Sequence, residues 1–212
     1  MRLSVLQIWQ APVPGLVEFL WEVRMSLIDT VASKARPSSL AYEELLAAGL
    51  GTLLPPGSPL LPQPPMLMFD RITRISEERD EKSKFVSGLV QAELDLHPDL
   101  WFFKCHFKDN PIMPGCLQLD ALLQMAGFFL AWQGALGEGF AAKTGDGHLR
   151  WKIRPSDERV FYEVRINRTS ETHGGVFARA DGEVKVIHAK GSGGFEITCD
   201  VKGMFVGVAA GE

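Results

Sequence analysis

The stretch from Cys116 to Gln133 constrains this 212-residue chain more than any other. It follows Pro114–Gly115, contains no proline, and carries Leu117, Leu119, Leu122, Leu123, Met125, Phe128, Phe129 and Leu130. Wound at about 3.6 residues per turn, these side chains cover nearly the whole circumference of a helix. A helix apolar on all sides has to be wrapped by other structure. The wrapping is written in the last third of the chain. There Val160, Tyr162, Val164 and Ile166 alternate with Phe161, Glu163, Arg165 and Asn167, and Phe195, Ile197, Cys199 and Val201 alternate with Glu196, Thr198, Asp200 and Lys202. A period of two marks strands with one buried face. Gly175 to Val186 reads as a third strand, and Gly147 to Pro155 as a further one. Met66 to Ile75 and Lys84 to Leu94 read as strands around a charged turn at Glu77 to Lys82. Tyr42 to Ala48 reads as a short helix ending at Gly49. The expectation is an α+β domain in which antiparallel strands enclose one long apolar helix.

That domain is expected over residues 42–212, with residues 1–41 as an extension. Within the extension Leu16, Phe19, Leu20 and Val23 stand at helical spacing, which fits either an amphipathic docking helix or an unordered tail. Six prolines between Leu53 and Pro65 predict an extended surface segment. A glycine-rich loop at Gly134 to Gly139 ends the long helix. Hydrophobic residues at 46% and charged residues at 23% exclude wholesale disorder. Twenty-two basic against 26 acidic residues give a net charge of −4, which weighs against a nucleic-acid partner. Three cysteines do not make a disulfide framework, so a reducing compartment, the cytoplasm, is expected. No membrane partner is expected either. Glu18 and Glu22 break the apolar run Leu16 to Val23, far short of the roughly 20 residues a bilayer needs. Leu3 to Trp9 lacks the features of a secretory signal.

The chemistry sits in Trp101 to Gln124, WFFKCHFKDNPIMPGCLQLDALLQ. Asp120 lies on the apolar helix among Leu119, Ala121, Leu122 and Leu123. A buried carboxyl group needs a raised pKa or a hydrogen-bonding partner, and Gln124, four residues on, shares its face. Kept neutral, Asp120 delivers a proton; at a gap facing solvent it would be an ordinary surface aspartate. His106 stands among Phe102, Phe103, Cys105 and Phe107. An apolar pocket would keep its imidazole neutral and able to accept a proton, although a histidine there also serves as a plain core residue. Cys105 reads as core. Pro114–Gly115–Cys116 opens the helix, where free N–H groups and the positive dipole end suit a carbonyl oxygen gaining charge, or simply start a helix. Base, acid and oxygen site together suit removal of a proton beside a thioester carbonyl with loss of a β-hydroxyl. Cys105, His106 and Cys116 lack a metal-ligand spacing, and there is no phosphate-binding glycine loop, so no cofactor is called for.

At these residues the chain resembles the bacterial 3-hydroxydecanoyl-ACP dehydratase/isomerase family. The resemblance is close over LDLHPDLWFFKCHF and NPIMPGCLQLDALLQ, including the 14-residue step from His106 to Asp120. It extends more weakly to MLMFDRI, ADGEV and ITCDVKGMF and leaves residues 1–41 outside. It implies the hot-dog fold, a curved antiparallel sheet around one long helix. It implies His106 and Asp120 as the catalytic pair, Gly115 as the amide that polarises the thioester, and Gln124 as support for the acid. Phe107, Met113 and Cys116, beside these in sequence, complete the expected substrate-binding set. It implies an acyl carrier protein as partner, and a homodimer whose active sites each take the histidine from one chain and the aspartate from the other. Arg150, Lys152, Arg154, Arg159, Arg165 and Arg168 are candidate contacts for the acidic carrier. The activity implied is a (3R)-hydroxyacyl-ACP dehydratase, with trans-2 to cis-3 isomerisation left open. The alternatives are a hot-dog thioesterase and a non-catalytic module that binds acyl thioesters.

Overall fold

The structure, a computed structural model, describes residues 36–79, 85–172, 174–188 and 194–209. The expected helix at Leu16 to Val23 lies outside the described residues. So do residues 80–82 of the turn expected at Glu77 to Lys82. The chain divides into a unit of Met1–Arg36 and a unit of Pro37–Glu212 that holds the elements below. Three helices are described: α1 (Tyr42–Gly49), α2 (Trp101–Cys105) and α3 (Gly115–Trp132). Seven strands accompany them: β1 (Arg71–Arg79), β2 (Val86–Asp95), β3 (Glu138–Lys143), β4 (Gly147–Leu149), β5 (Asp157–Thr172), β6 (Gly175–His188) and β7 (Phe195–Ala209). They form one antiparallel sheet in the order β1-β2-β5-β6-β7-β3, with β4 also paired to β7. This is the expected hot-dog arrangement. Leu40, just before α1, is buried and exchanges backbone hydrogen bonds with Ile72.

The sheet wraps α3. Leu122, Met125, Phe129 and Leu130 are fully buried against Val90, Val164, Val184 and Met204 from four strands. Close approach is bought by glycine at two places. A Cβ on Gly88 would lie 2.5 Å from the Phe129 ring, and one on Gly182, within ADGEV, 2.8 Å from Leu122. By length and composition α3 is the one helix among the described residues able to cross a bilayer, which the sequence reading did not anticipate; most of it is buried inside the sheet. It is not enclosed on all sides, however. Cys116, Leu119, Asp120, Leu123, Gln124 and Gly127 recur at three- and four-residue steps along an incompletely buried stripe.

Three strand expectations need correction. Met66 to Phe69 are not strand, because Met66 and Met68 give their backbone groups to the Gln124 side chain rather than to a ladder. β1 then runs on through Glu77 to Arg79, where a turn was expected. In β7 the alternation holds only after Thr198. Val184 pairs with Cys199 and Lys185 with Ile197, so Thr198 is an extra residue that bulges the strand. Thr198 turns inward and is fully buried, while Phe195 and Ile197 face outward, Phe195 edge-on to Phe161. The stretch Gly147 to Pro155 is strand only as far as Leu149.

The two kinds of helix-facing glycine give opposite expectations. Gly88→Ala forces Phe129 or the backbone carbonyl of Ser76 to move and should destabilise the fold by about 1–3 kcal/mol. Gly127→Ala meets open space within its own chain in mid-helix and should stabilise that chain's fold by about 0.5–1 kcal/mol. Urea denaturation midpoints check both signs.

Candidate active site

His106 follows α2, a five-residue helix anchored by the buried rings of Phe102 and Phe103. Its backbone N–H donates to Phe102 O at 2.9 Å. Its ring Nδ1 lies 3.1 Å from the carbonyl oxygen of Ile112. A carbonyl only accepts, so the proton of a neutral imidazole belongs on Nδ1 and the lone pair on Nε2. Reciprocal hydrogen bonds between Phe107 and Asn110, and one from Ile112 N–H to His106 O at 2.8 Å, hold the loop that carries the ring. The imidazole is half-buried and stacks on Phe107, centroids 4.1 Å apart, and Phe107 itself is 55% exposed. Cys105 is exposed rather than core, since the inward positions of this single turn are taken by Phe102 and Phe103.

Met113 is buried and ties its N–H to Ile153 O at 2.9 Å, placing Pro114 as the N-cap of α3. Leu117 N–H returns to Pro114 O at 3.1 Å, whereas a helix offers its first amides no partner within itself. The Gly115 and Cys116 amides stand at that end, and Cys116 is exposed. A Cβ on Gly115 would lie 2.4 Å from Leu149 Cδ1.

Asp120 is half-buried on the open stripe. Gln124 Nε2 donates to Asp120 Oδ2 at 2.6 Å and to Met66 O at 2.8 Å, while Gln124 Oε1 accepts Met68 N–H at 3.2 Å. Met68 thereby fixes which end of the amide faces the acid, and Asp120 Oδ1 has no hydrogen-bond partner among the described residues. Beyond Gln124 a cleft of about 190 Å³ runs along the stripe between Leu61, Leu123, Gly127, Phe128 and Phe140. Within one chain, among the described residues, no hydrogen bond joins His106 to Asp120.

Residues 61–189, which take in α2, α3 and both proposed catalytic side chains, match the model of the FabA-like domain. The chain belongs to the FabA-like domain family. Solved structures similar to it include the dehydratase heterocomplex ApeI:P of Xenorhabdus doucetiae, 12% identical, with 69% of this chain and 86% of that chain covered and a TM-score of 0.45. An acyl-CoA hydrolase of Bacillus cereus is 16% identical, with 57% and 66% covered and a TM-score of 0.41. A thioesterase family protein of Silicibacter pomeroyi is 11% identical, with 70% and 91% covered and a TM-score of 0.44. At such scores these three carry no argument, and the family rests on the match over residues 61–189.

The FabA-like match gives the quoted sequence phrases physical work. In MLMFDRI, Met66 and Met68 orient Gln124, and Asp70 accepts Asp95 N–H at 2.8 Å. Burial raises the Asp70 carboxyl above its ordinary value, and burial with the Asp70 charge pushes the enclosed Tyr162 phenol up. Arg71 forks onto Asp95, beside Arg159. Burial works against ionisation of Asp95, but Arg71 and Arg159 outweigh it and hold the carboxyl low. Arg150, Arg159 and Arg165 are therefore already paired, with Asp200, Asp95 and Glu163, and Arg168 lies over Phe85. The sequence reading passed over Gln118, which is buried and has Thr198 Oγ1 2.8 Å from its Oε1. A polar residue between Leu117 and Leu119 on a largely apolar helix was the available signal. It also passed over Leu149.

Gln124→Ala should strip Asp120, Met66 and Met68 of one partner each. A loss of roughly 1–3 kcal/mol is expected, read by urea denaturation against a Leu123→Met control.

Proposed function

We propose that the chain is a (3R)-hydroxyacyl thioester dehydratase acting on substrates carried by an acyl carrier protein, as a cytoplasmic homodimer. The reading rests on one observation above all: Gln124 presents Asp120, with one oxygen free, on the stripe of α3 that its own sheet leaves open. A second copy of the chain laid against that stripe brings its His106 to face Asp120, so each site draws on both chains. The strand β3, exposed along its length at the edge of the sheet, favours the same pairing.

In the proposed reaction Gly115 N–H donates to the thioester carbonyl, so that charge developing on oxygen meets the amide and the positive end of α3. His106 Nε2 takes the proton from the α carbon, its Nδ1–H held by Ile112 O. Asp120 gives its proton to the β-hydroxyl, the C–O bond breaks, water leaves, and the electron pair closes the double bond between the α and β carbons. The substrate carbonyl is the electron sink. Isomerisation would use the same Nε2 to move a proton between the γ and α carbons of the enoyl product. Carrier attraction falls chiefly to Lys152 and Arg154, because the other basic candidates are engaged. Among the described residues the Arg154 side chain meets the neutral side chain of Asn110.

His106→Asn should leave folding and oligomeric state unchanged and lower dehydration of 3-hydroxyacyl-ACP by roughly a hundred- to ten-thousand-fold. The assay separates enoyl isomers and free acid by chromatography over several chain lengths. Turnover retained in the variant, or release of free thiol without enoyl product, overturns the assignment, and the latter outcome selects a thioesterase.

A further inference from the structure

The strand β4 has no core of its own, since Gly147, His148 and Leu149 are all exposed. What fixes it to β7 is polar. His148 Nδ1 and Arg150 Nε both contact the Asp200 carboxylate, at 3.2 and 2.6 Å. Lys202 N–H donates to Asp146 O at 2.8 Å and Arg150 N–H to Thr198 O at 2.8 Å. The Arg150 guanidinium, with His148, holds the Asp200 carboxyl below the ordinary range, so Asp200 faces Arg150 as a carboxylate at neutral pH. Thr198 is the bulged residue whose hydroxyl meets Gln118 in the first turns of α3. One residue thus ties β4 to the helix end that carries Gly115.

The clamp holds an apolar side chain in an unusual place. Leu149 is 63% exposed, so burial of its own surface is a weak reason for its position, yet its Cδ1 and Cδ2 fill the space that a Cβ on Gly115 would need. We propose that Leu149 is a positioning residue that shields the Gly115 amide from water on one side, and that Asp200, through His148 and Arg150, keeps it there. An N–H kept from water is worth more to a developing oxyanion than a hydrated one. The side left open is then the direction from which a thioester carbonyl enters. The role in catalysis rests on the dehydratase reading, while the shielding itself does not.

Residue-resolved amide hydrogen exchange on the full chain tests the shielding without any turnover. Leu149→Ala should speed exchange at Gly115 and Cys116 by about tenfold. Exchange along Leu122 to Leu130 and the urea midpoint should stay unchanged. Asp200→Asn should do the same, and Leu149→Ile should restore slow exchange. Unchanged exchange in Leu149→Ala overturns the proposal, and unchanged exchange in Asp200→Asn alone removes Asp200 from it. In parallel, kcat for 3-hydroxyacyl-ACP should fall about tenfold in Leu149→Ala with KM within about twofold, as for a group acting mainly in the transition state. If the parent protein does not dehydrate at all, the proposed function fails while the exchange result still decides for or against the shield.

Discussion

Everything in this molecule depends on how far one sheet can close around one helix. The helix α3 is apolar over most of its surface, and the sheet buries it from Leu117 to Trp132 with no room for side chains at Gly88 and Gly182. Yet the strands end at the β1 and β3 edges, and the stripe through Cys116, Asp120, Gln124 and Gly127 stays only partly covered. A carboxyl group in the wrapped part would meet mostly hydrocarbon. On the open stripe it keeps one partner, Gln124, and one free oxygen.

The same packing sets the surroundings of that acid. The segment that leads into β1 does not join the ladder but runs past α3, where its peptide groups hold Gln124 in a single orientation. Asp70 at its end is pinned by the Asp95 backbone, and Asp95 in turn by two arginines. Core, ion network and acid are one connected assembly, which is why the sequence phrases that carry the family resemblance are spread over more than a hundred residues and still meet around α3. On the other side of the helix end, the Thr198 bulge serves two purposes. It buries a hydroxyl against Gln118 and turns the strand so that β4 can lie beside Gly115.

The parts legible in the sequence are those set by local periodicity. The long helix, the alternation of Val160 to Ile166 and the four-residue step from Asp120 to Gln124 can each be read from spacing alone, and the structure shows all three. The departures come from non-local pairing. No pattern within β7 announces that Thr198 is an extra residue, because a bulge is defined by the partner strand. Met66 to Phe69 look like strand by composition, and only contact with α3 makes them something else. Full enclosure of α3 was overestimated for the same reason, since apolarity says that a face tends to be covered but not by what. Leu149 carried no signal at all, being a single leucine in a short exposed strand.

The central claim is that Asp120 on the uncovered stripe works with His106 of a second copy. Mixed dimers of His106→Asn and Asp120→Asn chains test it most directly. Each variant alone should be inactive. In a randomly paired mixture half of the dimers hold one intact site of two, so about a quarter of the parent activity should return. If the mixture stays as inactive as its components while mixed dimers demonstrably form, the two side chains do not meet across a subunit boundary and the shared site is wrong.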